Sequence, residues 1–286
     1  MTKVKGTIVT SVPVVKLSNG VTMPQLGFGV FQIPDAETTR AVLSALDAGY
    51  RSIDTAAVYG NEAGVGKAIQ ESGIARDELF VTTKLWNSDQ GYDSTLKAFD
   101  ASIAKLGLEQ LDLYLIHWPV PRGDRYVDTW RALEKLHADG RVRAIGVSNF
   151  QPAHLRRILD TGSVVPAVNQ VEVHPYLRQD EVREFGAKHG IVTEAWSPLA
   201  KGGRLLAEPV LKQLAAKYGK TPAQIVLRWH LQLGNVVIPK SATPSRIREN
   251  FDVFGFELSD DDIETMNELD RGERTGPDPD TFNMGA

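Results

Sequence analysis

Eight short apolar, β-branched runs recur along this chain, most followed by a segment with helical spacing, and no other feature restricts its fold so strongly. They are QLGFGV (25–30), RSIDT (51–55), LFVTTKL (79–85), LDLYLIH (111–117), VRAIGVSN (142–149), AVNQVEV (167–173), IVTEAWSP (191–198) and NVVIPK (235–240). Several are apolar on both faces, as strands of a buried parallel sheet are. Between them lie amphipathic stretches such as AETTRAVLSALDAGY (36–50), YDSTLKAFDASIAKLGL (92–108) and PSRIRENFDVF (244–254), punctuated by Gly or by Ser, Thr or Asp starts. Eight strand-helix units, with no composition shift or linker between halves, predict an α/β fold of the (β/α)8 TIM-barrel type. Residues 1–286 are accordingly expected to form one domain.

The flanks complete that expectation. VVKLSNGVTMPQ (14–25) is two strand-like runs around Asn19-Gly20, a two-residue hairpin signal, and would close the bottom of the barrel. The tail RGERTGPDPDTFNMGA (271–286) is rich in Gly, Pro and Asp, lacks periodicity, and is expected to be a C-terminal loop over the active-site face. The stretch MTKVKGTIVTSVPVVKL (1–17) alternates Lys with β-branched residues, unlike a secretory leader, and no apolar run reaches the roughly 18 residues of a membrane span. A soluble, cytoplasmic protein is expected. With 32 Lys and Arg against 36 Asp and Glu, the net charge of -4 offers no basic footprint for nucleic acid. The absence of Cys removes thiolate nucleophiles and Cys-ligated metals.

Barrels of this kind carry their chemistry at the C-terminal ends of the strands. Strand two ends at Asp54-Thr55, three at Lys84, four at His117, five at Ser148-Asn149, six around Gln170-Glu172, seven at Trp196-Ser197 and eight at Lys240-Ser241. Asp54, Lys84, His117 and Tyr59, the last at the start of helix two, would form a proton-transfer set. A phenol of pKa about 10 is a poor donor at neutral pH, and the Lys84 ammonium is expected to lower it. Asp54 would hold that buried cation, and His117 would hydrogen-bond the reacting oxygen with Trp118 as an apolar wall.

Two glycine patterns are false leads. GNEAGVGKA (60–68) has Gly60 and Gly66 six residues apart and Ala68 where a phosphate loop needs Ser or Thr; GFG (27–29) lacks the third glycine and helix of a dinucleotide fingerprint. Close packing and turns are their expected jobs. An anion site is better placed at IPKSATPSRIREN (238–250), where Thr243 reads as N-cap and Pro244 as N1, with Lys240, Ser241 and Arg246 nearby.

The ordered motifs DTAAVYGNE, TKLW, LYLIHWP, IGVSNF, AVNQVEVHP and IPKSA resemble the aldo-keto reductase superfamily over nearly the whole chain, closest to its bacterial branch of 2,5-diketo-gluconate reductase-like and prostaglandin F synthase-like enzymes. The resemblance implies NADPH-dependent reduction of small aldehydes and ketones, with Asp54, Tyr59, Lys84 and His117 as catalytic tetrad and Tyr59 as proton donor. It implies that Ser148, Asn149 and Gln170 hold the nicotinamide amide and that Trp196 stacks on its ring, with Val30, Ser197 and Leu199 also at the cofactor. Lys240, Ser241, Thr243 and Arg246 match the 2′-phosphate pocket, and Glu249 and Asn250 the adenine site. Phe31, Trp86, His117 and Trp118 would contact substrate. Many members carry Trp where Phe31 stands and Tyr where Trp196 stands, so the pocket's width departs from theirs. The loops 119–129 and 201–208 are short, suggesting an open cleft. A monomer is the family's implication.

Three other readings stay open at the level of sequence. A Schiff-base lyase would use Lys84 as nucleophile, which Asp54 opposes by favouring the charged amine; borohydride trapping would reveal it. A metal-dependent hydrolase would use His117, Glu172 and His174, although Glu172 and His174 read better as packing groups. A redox-sensing module would bind NADPH and turn over slowly, and steady-state turnover with aldehydes separates it from an enzyme.

Overall fold

The computed structural model describes residues 12–286, so the start of the Lys-rich N-terminal stretch lies outside the described residues. Val14–Lys16 (β1) and Thr22–Pro24 (β2) pair antiparallel as the hairpin. Its loop differs from the expected two-residue turn. Gly20 N donates to Leu17 O and Leu17 N to Val21 O, leaving Ser18, Asn19 and Gly20 as a three-residue loop with Gly20 left-handed at φ +86°. Asn19 is used instead through its side chain, which donates to Arg143 O at 2.8 Å and so ties the hairpin to the barrel wall.

The eight alternating runs become parallel strands in chain order: β3 (Phe28–Gly29), β4 (Ser52–Asp54), β5 (Phe80–Leu85), β6 (Leu111–Ile116), β7 (Val142–Ser148), β8 (Val168–Glu172), β9 (Val192–Trp196) and β10 (Val236–Val237). The sheet closes on itself. Gly27 N donates to Val237 O at 2.8 Å, Val237 N to Gln25 O at 3.0 Å and Gly29 N to Pro239 O at 3.2 Å. At this seam β3 and β10 are shorter than the runs 25–30 and 235–240 suggest; Pro239 has no N–H with which to extend the ladder.

The helices fill the connections: α1 (Asp35–Ala48), α2 (Glu62–Glu71), α3 (Tyr92–Leu106), α4 (Tyr126–Ala138), α5 (Pro152–Thr161), α6 (Asp180–Lys188), α7 (Gly203–Leu206), α8 (Pro209–Tyr218), α9 (Pro222–Gln232), α10 (Pro244–Phe251) and α11 (Asp260–Asn267). The loops read as 119–129 and 201–208 are partly helical, because α4 begins at Tyr126 and α7 occupies 203–206. No helix among the described residues is long and apolar enough to cross a membrane.

Two apolar layers hold this together. One packs strand residues such as Ile53, Tyr114 and Val147 against helix residues such as Val42, Phe99 and Trp130. The other fills the barrel's lower interior, where Leu17 and Met23 of the hairpin region meet Phe80, Leu113, Leu115 and Val236. Burying Met23 completely contributes about 1.5–3 kcal/mol, which is why the hairpin plugs the barrel rather than lying free. Gly66 of the false phosphate loop also has a packing job: a Cβ there would lie 2.2 Å from Leu106 O, so its hydrogen lets α2 approach the end of α3.

Candidate active site

Register carries the polar strand ends to one rim. Gly29 is level with Asp54, and Lys84 with Leu115 two residues before His117. Lys84 is wholly buried, and its Nζ donates to Asp54 Oδ1 at 2.6 Å and Thr55 O at 2.9 Å, with Tyr59 Oη at 3.4 Å. Burial alone would lower the lysine's pKa; the carboxylate of Asp54, followed by Tyr59, outweighs it and holds the pKa above its ordinary value. The ammonium therefore persists in the interior.

Tyr59 ends a short 3₁₀ turn, Ala57–Tyr59, that closes on left-handed Gly60. Asn61, next in the chain, pins this turn by donating to Val30 O and Ile33 O and accepting from Thr55 Oγ1. The Tyr59 ring packs against Phe31 at 5.0 Å and edge-on to His117 at 5.7 Å. Its pKa corrects the expectation from sequence. Burial raises it, and Lys84, the next largest influence, opposes without overcoming that rise. The phenol thus keeps its proton throughout the neutral range.

His117 is held well below its ordinary pKa, first by burial and then by Lys84, so the ring is neutral. Its Nδ1 has no partner among the described residues, while its carbonyl accepts from Asn149 Nδ2 at 2.9 Å. Trp86 lies edge-on to the imidazole at 5.4 Å. Trp118 stacks nearby and meets Phe282 of the tail at 4.4 Å, an aromatic neighbour that sequence reading located only as part of the arm.

A second group adjoins the first. Ser148 Oγ donates to Gln170 O, Asn149 Nδ2 donates to Ser148 Oγ, and Trp196 Nε1 donates to Asn149 Oδ1 at 2.8 Å, which fixes the indole plane. Asn149 takes a left-handed φ of +65°, tolerated by Asn, and this swings the chain out of β7 at the rim. Gln170 Nε2 donates at 2.8 Å to both Asp54 Oδ2 and Glu194 Oε2. Glu194 was not singled out from sequence, although a charge inside the apolar run IVTEAWSP was the available signal.

The structure separates some of the other assignments. Val30 has a fully buried side chain, and its carbonyl is taken by Asn61, so it sits in the core rather than in a groove. Ser197, left-handed at φ +46°, and half-buried Leu199 form the turn after β9, closed by Ala200 N on Ser197 O and Gly202 N on Leu199 O. Thr243 is the N-cap of α10 and Pro244 its first residue, yet the Thr243 side chain makes no capping bond; Ser241 Oγ instead accepts from Thr243 N at 3.1 Å. Lys240 and Arg246 are exposed beside this helix start and form no ion pair among the described residues. Glu249 accepts from Thr221 Oγ1 and is thereby tied to α9, and Asn250 is buried.

Glu172 and His174 do not join His117 in a ligand set. His174 Nε2 donates to Glu172 Oε1, and the same carboxylate accepts from Thr275 N and Oγ1 and from Gly276 N, so the pair anchors the C-terminal tail. A Cβ on Gly276 would fall 2.4 Å from Trp196 Cη2. If Trp196 meets the nicotinamide as the resemblance implies, Gly276→Ala, by displacing either the indole or the tail, is expected to weaken NADPH binding severalfold with the fold intact by circular dichroism; unchanged affinity in a titration would separate the tail from that role of Trp196.

The chain is thus a (β/α)8-barrel protein that gathers a buried ammonium-carboxylate pair, a phenol and a neutral imidazole at the C-terminal rim of its strands. The Aldo/keto reductase family model matches residues 23–271, and the chain belongs to that family. It is 56% identical over 267 residues to the glyoxal reductase of Bacillus subtilis (strain 168), covering 93% of this chain and 96% of that one. It is 53% identical over 274 residues to methylglyoxal reductase DkgA of Yersinia pestis, covering 96% and 98%. Among solved structures, a Gox0644 mutant in complex with NADPH is similar at a TM-score of 0.91 and 50% identity, covering 95% of this chain and 99% of that chain.

Proposed function

We propose that this chain uses NADPH to reduce the carbonyl group of small aldehydes and 1,2-dicarbonyls to an alcohol. The observation that carries this is the protonated Tyr59 hydroxyl at 3.4 Å from the Lys84 ammonium, beside a neutral His117 and among aromatic walls. The glyoxal and methylglyoxal reductases among its relatives favour dicarbonyls within that class.

The residues present fit the cofactor. Trp196 is held by Asn149, Gln170 leaves its carbonyl oxygen without a donor among the described residues, and Lys240 and Arg246 flank the N-terminus of α10. When bound, NADPH supplies a hydride to the carbonyl carbon. Tyr59 gives its proton to the carbonyl oxygen, so the product alcohol carries one hydrogen from each source. Lys84 steadies the resulting phenolate, Asp54 keeps Lys84 charged, and an N–H of His117 orients the carbonyl oxygen. Phe31, Trp86 and Trp118 wall the substrate. We place the protein in the cytoplasm, where a reduced nicotinamide pool is available, and read it as a monomer.

Steady-state NADPH consumption with a panel of aldehydes and dicarbonyls tests the function; binding without turnover would overturn it in favour of a sensor. Because burial and Lys84 both disfavour the imidazolium, protonation of His117 is expected to leave no inflection in kcat near its ordinary pKa of 6.5. An acid limb at that pH that disappears in His117→Ala would contradict the neutral ring.

A further inference from the structure

Gln170 Nε2 lies 2.8 Å from one carboxylate oxygen of Asp54 and 2.8 Å from one of Glu194. Asp54 is ion-paired and accepts only, so the amide atom facing it is the nitrogen, and its two N–H groups are both consumed. Rotation of the amide would set oxygen against oxygen. Glu194 is fully buried on β9, level with Gln170 on β8 and Val236 on β10, and its Oε1 has no hydrogen-bond partner among the described residues. The charged or titratable groups that act on it are Asp54 from β4 and Lys84 from β5, and it acts in turn on Tyr59. Two acids therefore share one ammonium, and Lys84 is already bonded to Asp54 at 2.6 Å. An ionised Glu194 would be a dehydrated carboxylate without a cation of its own.

We propose that Glu194 is a positioning residue: as a neutral acid it holds, together with Asp54, both N–H groups of Gln170, and so fixes the Gln170 carbonyl oxygen as the acceptor offered to the nicotinamide carboxamide. This rests on the NADPH reading above. Burial and then Asp54 push its pKa up to about 8, against the smaller opposing effects of the Gln170 bond and Lys84. An acid whose folded pKa lies above its unfolded value near 4.3 contributes stability that is present below about pH 4 and lost as pH rises through about 8.

Two measurements separate the proposal from the reading beneath it. In the cofactor-free protein, Glu194→Gln removes this linkage, so its melting temperature relative to wild type should rise by roughly 5 °C or more between about pH 5 and pH 8.5. A difference independent of pH overturns the neutral acid, whatever NADPH does. In NADPH titrations, Glu194→Met should weaken binding about fivefold or more by freeing the Gln170 amide, and Glu194→Gln, whose side-chain oxygen still accepts, should recover most of it. In a Gln170→Ala background, Glu194→Met should add nothing. Wild-type affinity in Gln170→Ala would remove the nicotinamide reading itself. A weakened Gln170→Ala with additive or absent effects of Glu194→Met would remove only the role of Glu194. If the Met variant does not fold, the melting profile of Glu194→Gln decides alone.

Discussion

Tyr59→Phe is expected to lower carbonyl reduction by roughly 10²–10⁴, the usual contribution of a general acid, while NADPH binding stays within about twofold of wild type. The substitution is clean because the ring keeps its contacts, with Phe31 at 5.0 Å and Lys84 Nζ 5.0 Å from its centroid, and only the hydroxyl is lost. Lys84 also keeps its bonds to Asp54 and Thr55, so the buried charge is not stranded. Because burial keeps the phenol protonated, wild-type reduction should hold through the neutral range, and the reverse oxidation, which needs the phenolate, should accelerate as pH rises. Turnover of the variant within threefold of wild type would take the proton-donor role away from Tyr59.

Arg246→Ala should weaken NADPH by about tenfold or more and leave NADH nearly unchanged. The two cofactors differ by one phosphate. A charge-assisted hydrogen bond contributes about 1.5–3 kcal/mol, equivalent to a factor of ten or more in affinity. Arg246 is exposed in the first turn of α10, next to backbone N–H groups that favour an anion, and among the described residues no carboxylate competes for it. Added salt should weaken NADPH preferentially, because this end of the site is open to solvent. Quenching of Trp196 fluorescence offers the readout. Equal dissociation constants for the two cofactors in wild type, or a loss shared equally by both in the variant, would remove the phosphate from this helix start.

What could be read from the sequence follows from barrel geometry. In a closed parallel barrel every strand delivers its C-terminal residue to the same rim, so the linear positions of Asp54, Lys84, His117, Ser148 and Trp196 already placed them together before any distance was known. The alternation of apolar runs and helical spacing pointed to the architecture on related grounds: strands apolar on both faces need helices on one side and packed side chains on the other, and eight such units without a break fit a sheet closed into a barrel. Tertiary structure alone decided how these groups act on one another. Gln170 and Asp54 are 116 residues apart, so no spacing in the chain reveals that one amide joins Asp54 to Glu194. The tail is joined to Glu172 across 103 residues, at Thr275, which turns a loop without periodicity into a wall against Trp196. The direction of the Tyr59 pKa was likewise hidden. The lysine that should lower it was legible, but the dehydration that outweighs the lysine depends on what surrounds the phenol in space, and the order of residues along a chain does not record that.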